Sequence, residues 1–259
     1  MLTIIGDILI WIAAGVLFPL MLLPIASLGK TRSAAALLWF FAFGAIVGGA
    51  VLFSALAADL RPPVFSLGLA LSMIGGAVIG GALVYSAGAS AVNRRLSGVI
   101  ETLVRRIGRL SLHLVLIMAA VQFAIVILRY AFGVNFIAMQ ESVTYMHGAV
   151  FLLAGGYALL TDDHVRVDIF YRDARPRRKA FIDFAGTYVF LFPFCLIALW
   201  ATAPYVANAW AVREGSMEQS GINGVYFLKT LIAVYLTLLA LAGFVLAARA
   251  AETLKSRSD

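Results

Sequence analysis

Charged residues and cysteine are scarce in this chain of 259 residues. Only 13% of the residues are charged and 63% are hydrophobic, whereas a soluble domain carries roughly 25% charged residues. So little polar surface cannot cover a water-soluble globule, which excludes a cytosolic enzyme, a secreted disulfide scaffold and a disordered regulator. The single cysteine, Cys195, excludes an internal disulfide bond and a thiolate metal cluster supplied by one copy of the chain.

Long runs without Asp, Glu, Lys or Arg fill most of the sequence. A helix that crosses the hydrocarbon core of a membrane needs about 20 mainly apolar residues. Because every backbone amide in lipid must be satisfied within its own segment, these runs should be helices. We therefore predict an all-α polytopic membrane protein with about seven transmembrane helices, at 8–28, 34–58, 64–88, 110–128, 142–161, 184–212 and 230–248.

Residues 89–109 differ from these runs. Apolar residues recur there at spacings of three and four, with five arginines between or beside them. This pattern predicts a basic amphipathic helix that lies along the membrane interface, the alternative being a solvated linker. The chain then divides into an N-terminal three-helix extension (1–88), the interfacial helix (89–109) and a four-helix core (110–259).

Small residues recur every four positions in the N-terminal extension. Gly44 and Gly48 form one such pair, and Gly76 and Gly80 form another. Faces of this kind allow two helices to approach closely in lipid. We expect them to pack within the subunit, and a surface for oligomerisation is the alternative.

Basic residues fall mainly on one side of the membrane if the seven spans alternate. Sixteen of the 20 Lys and Arg residues lie after the first, third, fifth and seventh spans. Because basic loops stay in the cytoplasm, we predict a periplasmic N-terminus and a cytoplasmic C-terminus. The basic clusters directly flank membrane segments, so anionic phospholipids explain the net charge of +7 better than nucleic acid does.

Polar residues gather at the ends of the fifth and sixth predicted spans. On the predicted outer side these are Arg129, Tyr130, Gln140, Glu141 and Tyr145. On the predicted inner side they are Asp162, Asp163, His164, Arg166, Asp168, Tyr171 and Asp183. If 164–169 is extended, alternate residues share a face, so the polar residues lie opposite Val165, Val167 and Ile169. This alternation favours an ordered loop over a solvated one.

The interior of the predicted spans has no ionisable residue apart from histidines near the ends. Transporters and channels normally place such groups inside their helices to bind or relay ions. The sequence therefore favours a scaffold over a self-sufficient transporter. His113 and His147 leave open a haem-binding anchor of a redox complex, although the two lie at different depths.

Several motifs in order resemble the small permease subunit of TRAP transporters, the tripartite ATP-independent periplasmic transporters of bacteria and archaea. The resemblance covers about residues 96–250, and its strongest element is His-Val-Arg-Val-Asp at 164–168. The other elements are Ile-Leu-Arg-Tyr-Ala-Phe-Gly at 127–133, Gln140-Glu141, Tyr145, His147, and 177–183 with Gly186 and Pro193. Asp168-Ile-Phe-Tyr171, Glu214-Gly-Ser216 and Phe227-Leu-Lys229 are similar to motifs of the branch often labelled mannitol/chloroaromatic, which includes oxo-acid and other carboxylate systems.

The resemblance implies a division of labour in a bacterial inner-membrane symporter. The large permease subunit carries the sodium and substrate sites and moves as an elevator, and a periplasmic binding protein docks on the outer face. The small subunit is neither an enzyme nor a cofactor carrier, and it braces its partner. Its structural and interface residues are expected to be Arg129, Tyr130, Glu141, Tyr145, His147, His164, Arg166, Asp168 and Asp183. Residues 1–88 depart from the family pattern and would form an additional belt on the lipid-facing side or provide more contact with the large subunit.

Overall fold

The described part of the protein is helical. The structure is a computed structural model that describes residues 15, 17, 20–28, 42, 44–46, 48, 49, 63–163 and 171–256, and no strand occurs among them. This confirms the all-α prediction. The helices are α1 (Pro63–Ala87), α2 (Ala89–Ala131), α3 (Ile137–Thr161), α4 (Pro176–Gly186), α5 (Phe192–Ala211) and α6 (Val225–Ser256), with a π-helical turn at Thr187–Leu191.

Five segments of the described chain are long and apolar enough to cross a membrane. They are Leu67–Ala87, Ala89–Ala131, Ile137–Thr161, Pro176–Ala211 and Val225–Ser256. Each contains most of one predicted span. The predicted span at 8–28 lies partly outside the described residues and the one at 34–58 mainly outside them, so the count of seven is not confirmed.

Helix α2 joins two elements that the sequence predicted separately. The amphipathic segment 89–109 and the span 110–128 form one helix of 43 residues, about 65 Å long at 1.5 Å per residue. No proline interrupts the segment, and the chain instead turns at Gly88, whose φ is 82°. An ion pair of 2.8 Å between Glu101 and Arg105, one turn apart, stabilises the basic half of the helix.

Helix α4 begins eight residues before the span predicted at 184. Pro176 is at its first position, where the missing amide proton costs nothing, and Arg175 before it is extended with φ −60° and ψ 150°. The π-helical turn Thr187–Leu191 then precedes Pro193. Because proline cannot donate to the preceding helical turn, a widened turn is a common adjustment at such a place.

One compact unit contains α1, the start of α2, α4 and the end of α6. Gly76 of α1 contacts the backbone of Gly15 so closely that a side chain at residue 76 would overlap the Gly15 carbonyl. A Cβ atom at Gly48 would lie 3.1 Å from the carbonyl oxygen of Ala70. Small residues in the N-terminal extension therefore pack against one another within the chain.

The second compact unit contains the remainder of α2, α3, α5 and most of α6. Gly108 of α2 lies directly against Tyr157 of α3. Gly156 of α3 packs on α6, because a Cβ atom there would lie 2.9 Å from the carbonyl oxygen of Leu238. Helix α6 is the most buried, with 56% of its apolar stretch buried against 11% in α2 and in α3. Helices α2 and α3 therefore leave most of their apolar surface uncovered by this chain.

Candidate functional site

Glu141 holds the loop that joins α5 to α6. The carboxylate lies in the second turn of α3 and accepts hydrogen bonds from the hydroxyl of Ser216 and, at 2.6 Å, from the backbone N–H of Ile222. One helical turn further on, the Tyr145 hydroxyl donates to the Ile222 carbonyl at 3.5 Å. The two sequence-predicted residues Glu141 and Tyr145 therefore act together as a clamp on residues 216–222.

Gly221 allows this loop to fold tightly beneath the carboxylate. A Cβ atom at this position would overlap the Ser216 hydroxyl and lie 2.7 Å from Oε1 of Glu141. The hydroxyl of Ser216 also accepts a hydrogen bond of 3.0 Å from the backbone N–H of Glu218. The loop is therefore ordered by side chains of its own as well as by α3.

A second set of contacts holds the two ends of the same loop. Lys229 lies in the second turn of α6, and its ammonium group donates a hydrogen bond of 2.5 Å to the Glu214 carboxylate. The same ammonium group lies 3.9 Å from the centre of the Tyr205 ring. Nearby, the indole N–H of Trp210 donates to the hydroxyl of Thr230 at 2.8 Å. These contacts join the end of α5 to the beginning of α6.

Arg129 and Tyr130 do not join the clamp. Both are exposed at the end of α2, and Tyr130 is 82% exposed. Arg129 has no polar partner within the described ranges. The short connection that follows is ordered locally, because the Gln140 amide donates to Asn135 at 2.7 Å. The two residues are thus available to a neighbouring surface.

His147 lies in a groove between α2 and α3. The groove has a volume of about 450 Å³ and is lined by Met118, Ala119, Gln122, Val143, Thr144 and His147. Gln122, Thr144 and His147 are exposed, and none of them has a hydrogen-bond partner in the part of the chain that the structure describes. Three polar side chains therefore line an otherwise apolar groove along two candidate membrane spans.

The two histidines of the haem alternative have different surroundings. Nδ1 of His113 lies 3.0 Å from the backbone carbonyl oxygen of Arg109 in its own helix. The ring of His147 stacks loosely on Phe151, with the ring centres 6.4 Å apart. Within the described ranges, no group of three or more His, Cys, Asp or Glu side chains has the arrangement of a metal site. Nothing in this geometry favours the haem alternative.

Asp183 of α4 binds Tyr171, which lies in the segment just before this helix. Its carboxylate accepts a hydrogen bond of 2.8 Å from the Tyr171 hydroxyl, and the Lys179 ammonium lies 5.1 Å from the centre of the same Tyr171 ring. The Asp183 carboxylate thus holds the segment that precedes α4 against this helix. The predicted residues His164, Arg166 and Asp168 lie outside the described residues.

Residues 117–255 match the family described as "Tripartite ATP-independent periplasmic transporters, DctQ component". This match covers more than half of the chain, from the second half of α2 to the end of α6. The chain belongs to the DctQ family of TRAP transporters. No curated protein and no solved structure matches the chain.

The DctQ family consists of small permease subunits, not of enzymes, and its members work with a large permease subunit and a periplasmic substrate-binding protein. With five candidate membrane spans, this DctQ protein is a multi-pass inner-membrane protein. The Glu141 clamp, the His147 groove and Asp183 all lie within the family match.

Sequence reasoning missed some of the residues that shape this DctQ protein. Gln122 stands alone in an apolar run, and because its side chain is neutral, the pattern of ionisable groups does not indicate it. In the sequence, Ser216 and Lys229 indicate only a resemblance to a family branch, although both lie in or beside a loop rich in polar residues. A loop rich in polar residues, together with a carboxylate near the start of a helix, is the sequence pattern that could have indicated the Glu141 clamp.

Proposed function

We propose that this DctQ protein is the static scaffold subunit of a sodium-coupled TRAP transporter for an organic anion, in the mannitol/chloroaromatic branch. It braces the large permease subunit, which holds the sodium and substrate sites and moves as an elevator. A periplasmic protein delivers the anion to the outer face. This chain carries no cofactor, and it has a periplasmic N-terminus, a cytoplasmic C-terminus and an N-terminal extension (1–88) that widens its belt in the membrane.

The observation that carries the proposal is that charged side chains at the ends of the candidate spans form hydrogen bonds within this chain. Glu141 is bound to Ser216 and Ile222, and Lys229 is bound to Glu214. A transport site needs ionisable groups that can exchange one partner for a solute or an ion. Because these groups are engaged in holding a loop, they support a structural function.

The polar groove between α2 and α3 supports a contact with the large subunit. Gln122 lies seven residues before Arg129, near the C-terminal end of α2. Along the helix axis this is a distance of about 10 Å. Amide and imidazole groups are costly to expose to lipid without hydrogen bonds, and polar side chains often join helices in membranes. A polar side chain of the large subunit would supply the missing partner, so we place one contact with that subunit at the groove.

The scaffold function is tested by co-expressing this chain with its cognate large permease subunit. We expect the two to purify together in mild detergent, and we expect the large subunit alone to lose stability and uptake activity. Uptake is measured in cells that also contain the periplasmic binding protein. If the large subunit is stable and fully active in transport without this chain, the scaffold function is wrong.

The location of the contact is tested separately with groove variants. A double variant, Gln122→Leu with His147→Leu, should reduce the amount of large subunit recovered with this chain. The control is Ile117→Ala, an exposed position on α2 about 140° around the helix from Gln122. Equal recovery with the double variant and with the wild type would show that the large subunit binds elsewhere.

A further inference from the structure

A second groove lies at the start of α4 and contains three arginines. It has a volume of about 410 Å³ and is lined by Arg175, Arg177, Arg178, Phe181 and Leu254. All three arginines are exposed, and no carboxylate of the described residues forms an ion pair with any of them. Three guanidinium groups thus converge on one groove, and no carboxylate of the described chain balances their charge.

The neighbouring charges increase this imbalance. The first turn of α4 has no acidic residue, although a helix N-terminus itself carries about half a positive charge and favours acidic neighbours. Asp173, Asp183 and Glu252 each lie two residues from a groove residue, and none of them pairs with an arginine of the groove. A bound anion would remove the repulsion among these cations.

The remainder of the groove is apolar and continues along the membrane span. Phe181 follows Arg177 by four residues and Arg178 by three, so it lies on the same face of α4 one turn further on. It is 61% exposed, and Leu254 of α6 completes the apolar side. Helix α4 opens the candidate span Pro176–Ala211. The groove therefore has a cationic part, formed by the three arginines, and an apolar part, formed by Phe181 and Leu254. The apolar part lies further along α4, in the direction of the candidate span.

We infer that this groove binds one anionic phospholipid of the phosphatidylglycerol class. The phosphate accepts hydrogen bonds from the arginines, which are well suited to bidentate contacts with phosphate oxygens. An acyl chain lies along Phe181 and Leu254. A free phosphate ion would use the arginines alone, whereas the lipid uses both parts of the groove. The site does not depend on the proposed transport function.

The inference is tested on the full-length chain in detergent, by native mass spectrometry with added phosphatidylglycerol or phosphatidylcholine. We expect one phosphatidylglycerol to bind at least about tenfold more tightly than phosphatidylcholine, since each basic residue near a membrane surface favours an anionic lipid. A triple variant, Arg175→Gln, Arg177→Gln and Arg178→Gln, should lose this preference. A control with Arg94→Gln, Arg95→Gln and Arg106→Gln removes three exposed arginines of α2 and should keep it.

The apolar part of the groove distinguishes a lipid site from a phosphate site. Phe181→Ala should weaken phosphatidylglycerol binding several-fold, and glycerol phosphate at the same concentration should not displace the lipid. If glycerol phosphate competes as well as the lipid, or if Phe181→Ala has no effect, the groove is only a phosphate site. If the control triple variant loses the preference as completely as the groove variant, binding is diffuse electrostatic attraction and the inference is wrong.

Discussion

The contact between α3 and α6 provides the most quantitative test of the structure. Gly156 is buried, and a Cβ atom there would lie 2.9 Å from the carbonyl oxygen and 3.1 Å from the carbonyl carbon of Leu238. Both atoms belong to the backbone of α6 and cannot rotate away. Gly156→Val therefore forces the two helices apart, because even the first added carbon has no room.

The magnitude follows from the usual cost of overpacking. Extra carbons in a well-packed interior cost about 1–3 kcal/mol. Since the obstacle here is backbone, we expect a loss of about 2–3 kcal/mol in the free energy of unfolding, reduced by a few tenths because valine favours a helix more than glycine does. For a protein of this size each kcal/mol changes Tm by about 2–4 °C, so Tm should fall by about 4–10 °C.

The assay is thermal unfolding in detergent, followed by size-exclusion chromatography. Gly98→Val is the matched control, because a Cβ atom at Gly98 meets nothing within 4 Å, and its Tm should stay constant or rise slightly. Gly155→Val should give an intermediate loss, since its obstacle is the Tyr235 ring, which can move. Equal Tm values for the Gly156 and Gly98 variants would refute the close packing of α3 on α6.

Three further predictions concern the polar contacts. Glu141→Gln should increase hydrogen exchange at the Ile222 amide several-fold because the carboxylate acceptor is lost, whereas Glu218→Gln should not; equal exchange in the two variants would exclude the clamp. Trp210→Phe removes one hydrogen bond and should cost about 0.5–1.5 kcal/mol in thermal unfolding, so an unchanged Tm would show that the indole N–H contributes nothing. Tyr171→Phe should cost about 1 kcal/mol or less, because Asp183 is only half-buried and water can replace the hydroxyl; a larger loss in the same assay would mean that the carboxylate is desolvated.

The apolar runs predicted the helices well because lipid imposes one simple requirement. A chain in hydrocarbon must form its backbone hydrogen bonds within each segment, so a long run without charges is a helix. The ends of the helices were less predictable. Helix α3 begins at Ile137, not at 142, since Glu141 fits within its first turns by bonding to a distant loop. Helix α4 begins at Pro176, where a proline start signal outweighs the charges that follow.

The clamp itself could not be predicted from local pattern. The sequence predicts a structural function for Glu141 and Tyr145, but their partner Ile222 is 81 residues from Glu141 and 77 from Tyr145. Nothing in the spacing of polar residues specifies which loop a carboxylate will meet, because that depends on how α3 and α6 pack. The glycines that permit this packing, such as Gly156, are also common in membrane helices for other reasons, so their presence alone did not identify a contact.

Charged side chains of the described residues include some that are bound within the chain and some that are not, and this difference is relevant to the proposed scaffold function. Glu141, Lys229 and Asp183 are bound to groups of this chain, so they rigidify the subunit and present no open site to a solute. The arginines around Phe181 have no such partner among the residues that the structure describes, so they can bind an anion from outside the chain. Under the proposed scaffold function, the subunit needs both internal rigidity and attachment to something that does not move with its partner. Bound phospholipid would supply the second, because each headgroup contact must break before the subunit can tilt or shift along the bilayer normal.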